Sequence, residues 1–158
     1  MNFKQFTDKT LKDIEVKATE LFDRNFEQEG FFGSKWKQRK NDSDPGRGIL
    51  MGKGSGRLRR GVGITKRSGN TITWQFDVPY AKIHNEGGII KATQNVRAFS
   101  RTVKGKVQKV KSFNRNVNIR MPQRQFIGDH PQLRTAIEVI VNRNAQKLIE
   151  DFKKTLKS

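Results

Sequence analysis

The chain has 158 residues, with 33 Lys and Arg against 15 Asp and Glu and a formal net charge of +18, a size that predicts a single domain spanning 1–158. It holds no run of about 18 apolar residues, which predicts no membrane-spanning helix and no membrane partner. The start, Met1-Asn2-Phe3-Lys4-Gln5, lacks an apolar leader, and the absence of cysteine excludes a disulfide framework and a thiol nucleophile.

The charge is concentrated. Residues 1–45 carry nine basic and nine acidic side chains, residues 46–128 carry 18 basic and two acidic ones (Asp77 and Glu86), and 129–158 carry six and four. Like charges at that density repel, so the middle segment is expected to work beside something acidic, either nucleic acid phosphates or an acidic protein surface. A merely solubilising basic face is the blander reading. Leu, Ile, Val and Phe number 40, enough for a modest core.

In chain order, residues 2–27 predict a helix opened by an Asn2/Gln5 capping box, with an apolar stripe through Phe3, Phe6, Leu11, Ile14, Ala18, Leu21 and Phe22. Residues 28–61 read as irregular, with a turn at Asp42-Ser43-Asp44-Pro45-Gly46 and six glycines between Gly46 and Gly61. Trp36, between two lysines, is expected to plug a small apolar pocket. Residues 62–78 alternate as a β-hairpin, with Ile72, Trp74, Phe76 and Val78 on one face and a turn at Arg67-Ser68-Gly69-Asn70. Pro79–His84 suits a short helical turn ended by Gly87-Gly88.

Residues 89–116 hold eight Lys or Arg and no acid: Lys91, Arg97, Arg101, Lys104, Lys106, Lys109, Lys111 and Arg115. This basic arm suits either a two-stranded arm or a mobile loop, poorly ordered alone and ordered by docking. These eight residues are the candidates for assembly or nucleic-acid contact. Val117, Ile119 and Met121 alternate as a strand stopped by Pro122. Pro131 then starts a C-terminal helix of about 39 Å, capped by Asp129 or His130, with an apolar stripe from Leu133 through Ile137, Ile140, Val141, Leu148 and Phe152 to Leu156. The layout is α+β, an N-terminal helix and a long C-terminal helix packed on a small antiparallel β-sheet.

Catalytic motifs are lacking. Gly48, Gly52-Lys53 and Gly54-Ser55 miss the spacing of a phosphate loop. His84-Asn85-Glu86 cannot close a metal site, since two histidines and no second cluster leave too few ligands. Asp77 and Glu86 are the only acids in 83 residues, too sparse for paired-carboxylate chemistry. No enzyme, cofactor or metal is expected. Nucleic-acid binding through 46–128 has the right charge, but Phe99 and Phe113 are few platforms for base stacking.

Three stretches carry a family resemblance: Gly56-Arg57-Leu58-Arg59-Arg60-Gly61-Val62, then Val78-Pro79-Tyr80-Ala81-Lys82-Ile83-His84-Asn85-Glu86-Gly87-Gly88, then Met121-Pro122-Gln123-Arg124-Gln125-Phe126-Ile127-Gly128. In order and spacing the chain resembles the tailed-bacteriophage virion morphogenesis (tail completion) family, related to the head–tail joining proteins of phages Mu and P2. The basic stretch around Trp36 and Ile49-Leu50 falls where that family has a Trp-containing linker. The family's usual Arg-Pro-Phe-Leu-Gly is here Arg124-Gln125-Phe126-Ile127-Gly128, and arm 89–116 is longer and more basic.

The resemblance implies a non-enzymatic structural protein of virion assembly, made in the host cytoplasm and carried in the virion. It implies a homo-oligomeric ring at the head–tail junction or tail end, with neighbouring phage tail or connector proteins as partners and possible non-specific contact with DNA. It also implies structural roles for Tyr80, Ile83 and His84, for Gly87 and Gly88 at a sharp turn, and for Arg124, Phe126 and Gly128 before the last helix.

Overall fold

A computed structural model describes residues 2–40, 46–52 and 56–156. The turn expected at Asp42–Pro45 and the Lys53-Gly54-Ser55 segment lie outside the described residues. Helix α1 (Phe3–Glu27) begins with the reciprocal capping box: Gln5 N donates to Asn2 Oδ1 and Asn2 N to Gln5 Oε1, both at 2.9 Å. Helix α4 (Pro131–Thr155) has Pro131 in its first turn and His130 as N-cap, with Nδ1 accepting from Gln132 N at 3.2 Å. The two helices pack side by side and antiparallel.

The α+β layout is observed, with the strands among the described residues distributed over four two-stranded antiparallel ladders. Strands β1 (Gly30–Phe31) and β2 (Ser34–Lys35) form a tight hairpin, and a short helix α2 (Arg57–Gly61) follows. Both lie in the stretch that reads as irregular, where glycines and charges mask periodicity. Strands β3 (Thr65–Ser68) and β4 (Thr71–Trp74) pair around Gly69-Asn70. This hairpin is shorter than 62–78, because Val62, Gly63 and Ile64 still donate backwards to Arg59, Arg60 and Gly61 and so prolong the helical turn. Inward-facing alternation nevertheless continues through Phe76 to the buried Val78.

Helix α3 (Ala81–Glu86) leads into β5 (Gly88–Val96), and β8 (Phe113–Met121) returns beside it in a nine-pair ladder from Gly88↔Met121 to Val96↔Phe113. Beyond it, β6 (Phe99–Val103) and β7 (Lys106–Val110) pair over five residues and close at Lys104-Gly105, both with positive φ, as a tight hairpin turn requires. The basic arm and the separate strand read at 117–121 are thus one two-stranded ribbon. Its two halves pair with each other along both ladders. At about 3.3 Å per residue its two ladders span roughly 30 Å and 17 Å.

The core sits where α1 meets the loops. Phe22, Phe26, Trp36, Ile49, Leu58, Val62, Val78 and Phe126 are buried together. Phe126 lies 5.2 Å from Phe26 and 5.3 Å from Phe76 between ring centroids. Trp36 fills an apolar pocket edge-on to Phe26 and donates Nε1–H to Gln125 O at 2.7 Å.

The apolar stripe of α4 is only partly covered. Ile140 is buried, Leu133, Ile137 and Leu148 are half-buried, and Val141, Phe152 and Leu156 are exposed. The final turns of α4 and the first residues of α1 form one uncovered end, with Phe3 exposed as well.

Candidate assembly and nucleic-acid surface

The ribbon's chemistry follows from its register. Residues paired across an antiparallel ladder share a face, and the faces alternate. One face of the β5–β8 ladder carries Ile90 with Ile119, Ala92 with Val117, Gln94 with Arg115 and Val96 with Phe113. The other carries Ile89 with Arg120, Lys91 with Asn118, Thr93 with Asn116 and Asn95 with Asn114. The first face is apolar apart from the Gln94–Arg115 pair, in which Arg115 Nε and Nη2 donate to Gln94 Oε1 at 3.0 and 2.8 Å. The second is laced by side-chain hydrogen bonds, Thr93 Oγ1 to Asn116 Oδ1 and Asn95 Nδ2 to Asn114 Oδ1, each 3.0 Å.

Ile90, Phe113 and Ile119 on the apolar face are exposed, and among the described residues no other element packs extensively on the ribbon. These large apolar side chains are therefore exposed rather than packed into a core.

The eight cationic residues divide along this ribbon. Lys91 lies on the polar face and Arg115 on the apolar one, while Arg97, Arg101, Lys104, Lys106, Lys109 and Lys111 cluster on the outer hairpin and its flanks. All eight are exposed, and among the described residues none forms an ion pair with a carboxylate. Arg101 makes only hydrogen bonds to Gln108 Oε1, at 3.2 and 3.3 Å. The carboxylates of α1 pair elsewhere, Asp23 and Glu27 both accepting from Arg59 at 2.6 and 2.8 Å.

The motif residues at the ribbon's root are brought together. Arg124 N donates to His84 O at 2.8 Å, tying the exit of the ribbon to its entry. Asn85 Oδ1 accepts from Phe126 N at 3.0 Å and from Ile127 N at 3.1 Å. The Arg124 side chain, only 7% exposed, donates Nε–H to Lys37 O at 3.0 Å. Gly87 has φ +74°, and a Cβ there would lie 2.8 Å from Gln123 N, so glycine is required. Gly88 and Gly128 also have positive φ, and Ile83 packs against Gly88. Tyr80 is partly exposed, its ring edge-on to His84 at 5.8 Å. Burial, then the nearby Arg124 charge, pushes the His84 imidazole below its ordinary pKa.

Two polar residues in the folded scaffold have no counterpart among the sequence-read candidates. Asn25 is buried and bridges Phe126 O and Phe32 N. Asn144 is fully buried, donating to Thr10 Oγ1 at 3.2 Å and to Asp13 Oδ2 at 3.0 Å. Both amides stand at helical spacing from apolar neighbours, which was the available signal. In comparisons with protein-family models, curated proteins and solved structures, nothing matches this chain.

Proposed function

We propose that the chain is a non-enzymatic structural subunit of virion assembly, acting in tail completion or head–tail joining as a member of a homo-oligomeric ring. The observation that carries this reading is the ribbon's uncovered apolar face, Ile90, Ile119 and Phe113, on an arm too long for its own domain to bury. Such a face gains stability when another protein excludes water from it.

A second apolar zone, at the uncovered end of α1 and α4, differs in shape from the ribbon. Two unlike patches suit a head-to-tail contact, the kind that closes into rings, better than a two-fold dimer. The three motif stretches supply the phage context.

The alternative is a nucleic-acid-binding module. Its specific support is the outer hairpin, where Arg97, Arg101, Lys104, Lys106, Lys109 and Lys111 stand without a carboxylate partner among the described residues. The two readings use different parts of one ribbon and are compatible, since phosphate contacts need no sequence readout.

Particle composition separates them. Mass spectrometry of purified virions and tails from a phage encoding this chain detects it as a component under the assembly reading. Its absence from both counts against that reading. Electron microscopy of particles lacking the gene then distinguishes separate heads and tails, expected for junction completion, from tails of uncontrolled length, expected for a terminator.

A further inference from the structure

A cavity of about 310 Å³ opens at the ribbon's root, bounded by α2, α3 and the loop 47–52. Its lining includes four cations, Arg39, Arg47, Arg57 and Arg124, together with His84 and Tyr80. It also includes four apolar side chains, Ile49, Leu50, Met51 and Leu58. No acidic residue lines it among those described. The loop wall is held in place by Glu29 Oε1, which accepts from Ile49 N at 2.5 Å.

Two groups in this wall lack a full set of partners among the described residues. Arg124 is nine-tenths buried, yet it has no carboxylate partner among the described residues, and its one side-chain bond runs from Nε to a backbone carbonyl. The Nδ1 of His84 is buried with no hydrogen-bond partner. A buried guanidinium without a counter-charge is costly, and a buried ring nitrogen without a partner adds to that cost. An anion in the cavity relieves the cost at Arg124, and at His84 when Nδ1 carries the imidazole proton. Arg57 contacts Asp77 at 3.3 Å, but both side chains are more than half exposed, so that pair leaves the interior charge untouched.

We propose that this cavity is a socket for a carboxylate on an apolar stem, the acidic side chain or chain terminus of a neighbouring protein. Arg124 supplies the paired donors that fit a carboxylate. The aliphatic wall of Ile49, Leu50, Met51 and Leu58 takes the stem, whereas a phosphodiester would bring no apolar atoms to it. The socket stands on these residues alone, whether or not the chain belongs to a virion.

The test uses the full chain, with the Arg124 Nε–H and His84 ring signals followed by nitrogen NMR during titration with acetate, isovalerate, phosphate and chloride at constant ionic strength. Saturable shifts with isovalerate are expected. Its affinity should exceed that of acetate at least about tenfold, since each buried methylene contributes roughly a fourfold gain. Arg57→Gln, at an exposed rim position that leaves the core intact, should weaken isovalerate roughly fivefold. Lack of a saturable shift up to ~100 mM, which corresponds to no useful affinity, overturns the proposal. So does tighter binding of phosphate than of isovalerate, or unchanged affinity in Arg57→Gln. A site that binds isovalerate only after Asp42→Asn/Asp44→Asn is filled by the chain's own acids, which also overturns it.

Discussion

Asn25 and Phe126 are joined across 101 positions of the chain: the buried Asn25 Nδ2 donates to the Phe126 carbonyl at 3.1 Å. The same amide accepts from Phe32 N at 2.9 Å through Oδ1, so one side chain ties α1 to the β1 hairpin and to the segment before α4. Asn25→Ala strips a partner from two backbone groups in a dry site. A loss of roughly 2–4 kcal/mol is expected, read as a shift of the urea midpoint with unchanged slope. A loss under about 0.5 kcal/mol, the range of neutral surface changes, would mean that this bridge is dispensable.

The sharp turn at the ribbon's root predicts a contrast between two glycines. Gly87 has φ +74° and lies against the Gln123 backbone, so Gly87→Ala is expected to cost about 2 kcal/mol or more. Gly69 has φ +54° but open space around it, and Gly69→Asn is expected to change stability by less than about 0.5 kcal/mol. Thermal melts of the two variants check this, and equal effects would remove the steric argument.

His84 predicts a pH dependence of definite sign. Burial, and then Arg124, lowers its pKa in the folded chain, so the unfolded chain binds the proton more readily. The stabilisation is complete above the free imidazole's pKa and is lost as pH falls through it. Stability should therefore decline between about pH 7.5 and pH 5.5, and His84→Gln should flatten that decline. Denaturant unfolding at the two pH values measures it; an increase in stability at the lower pH would contradict the assignment.

The outer hairpin predicts sequence-independent binding to DNA that weakens steeply with salt. Replacing Lys104, Lys106 and Lys109 with glutamine should reduce the magnitude of the slope of log K against log salt by roughly three. Fluorescence anisotropy on duplexes of unrelated sequence reads this directly. Slopes that stay the same in the variant would move any DNA contact away from the hairpin.

Much of the scaffold was legible in the residues. The Asn2/Gln5 box, Pro131 after His130, and the alternation from Ile72 to Val78 each rest on local chemistry that the fold preserves. What stayed hidden depends on partners distant in sequence. The β1–β2 hairpin lies in a stretch without periodicity, its turn set by Phe32 and Gly33 in positive φ. The polar anchors Asn25 and Asn144 stand at helical spacing from apolar residues, but their partners Phe126 and Thr10 lie far away in the chain. The ribbon's two faces emerge only from the pairing of Ile90 with Ile119 and Lys91 with Asn118, because β5 alone reads as a weak mixture of types.

The central claim is that the apolar face of the ribbon is an assembly surface, and sedimentation velocity tests it most directly. The intact chain should form a discrete oligomer as concentration rises, while Ile90→Lys/Ile119→Lys, with an unchanged circular dichroism spectrum, should remain monomeric. An intact chain that stays monomeric across the micromolar to millimolar range, or a double variant that assembles equally well, would contradict it.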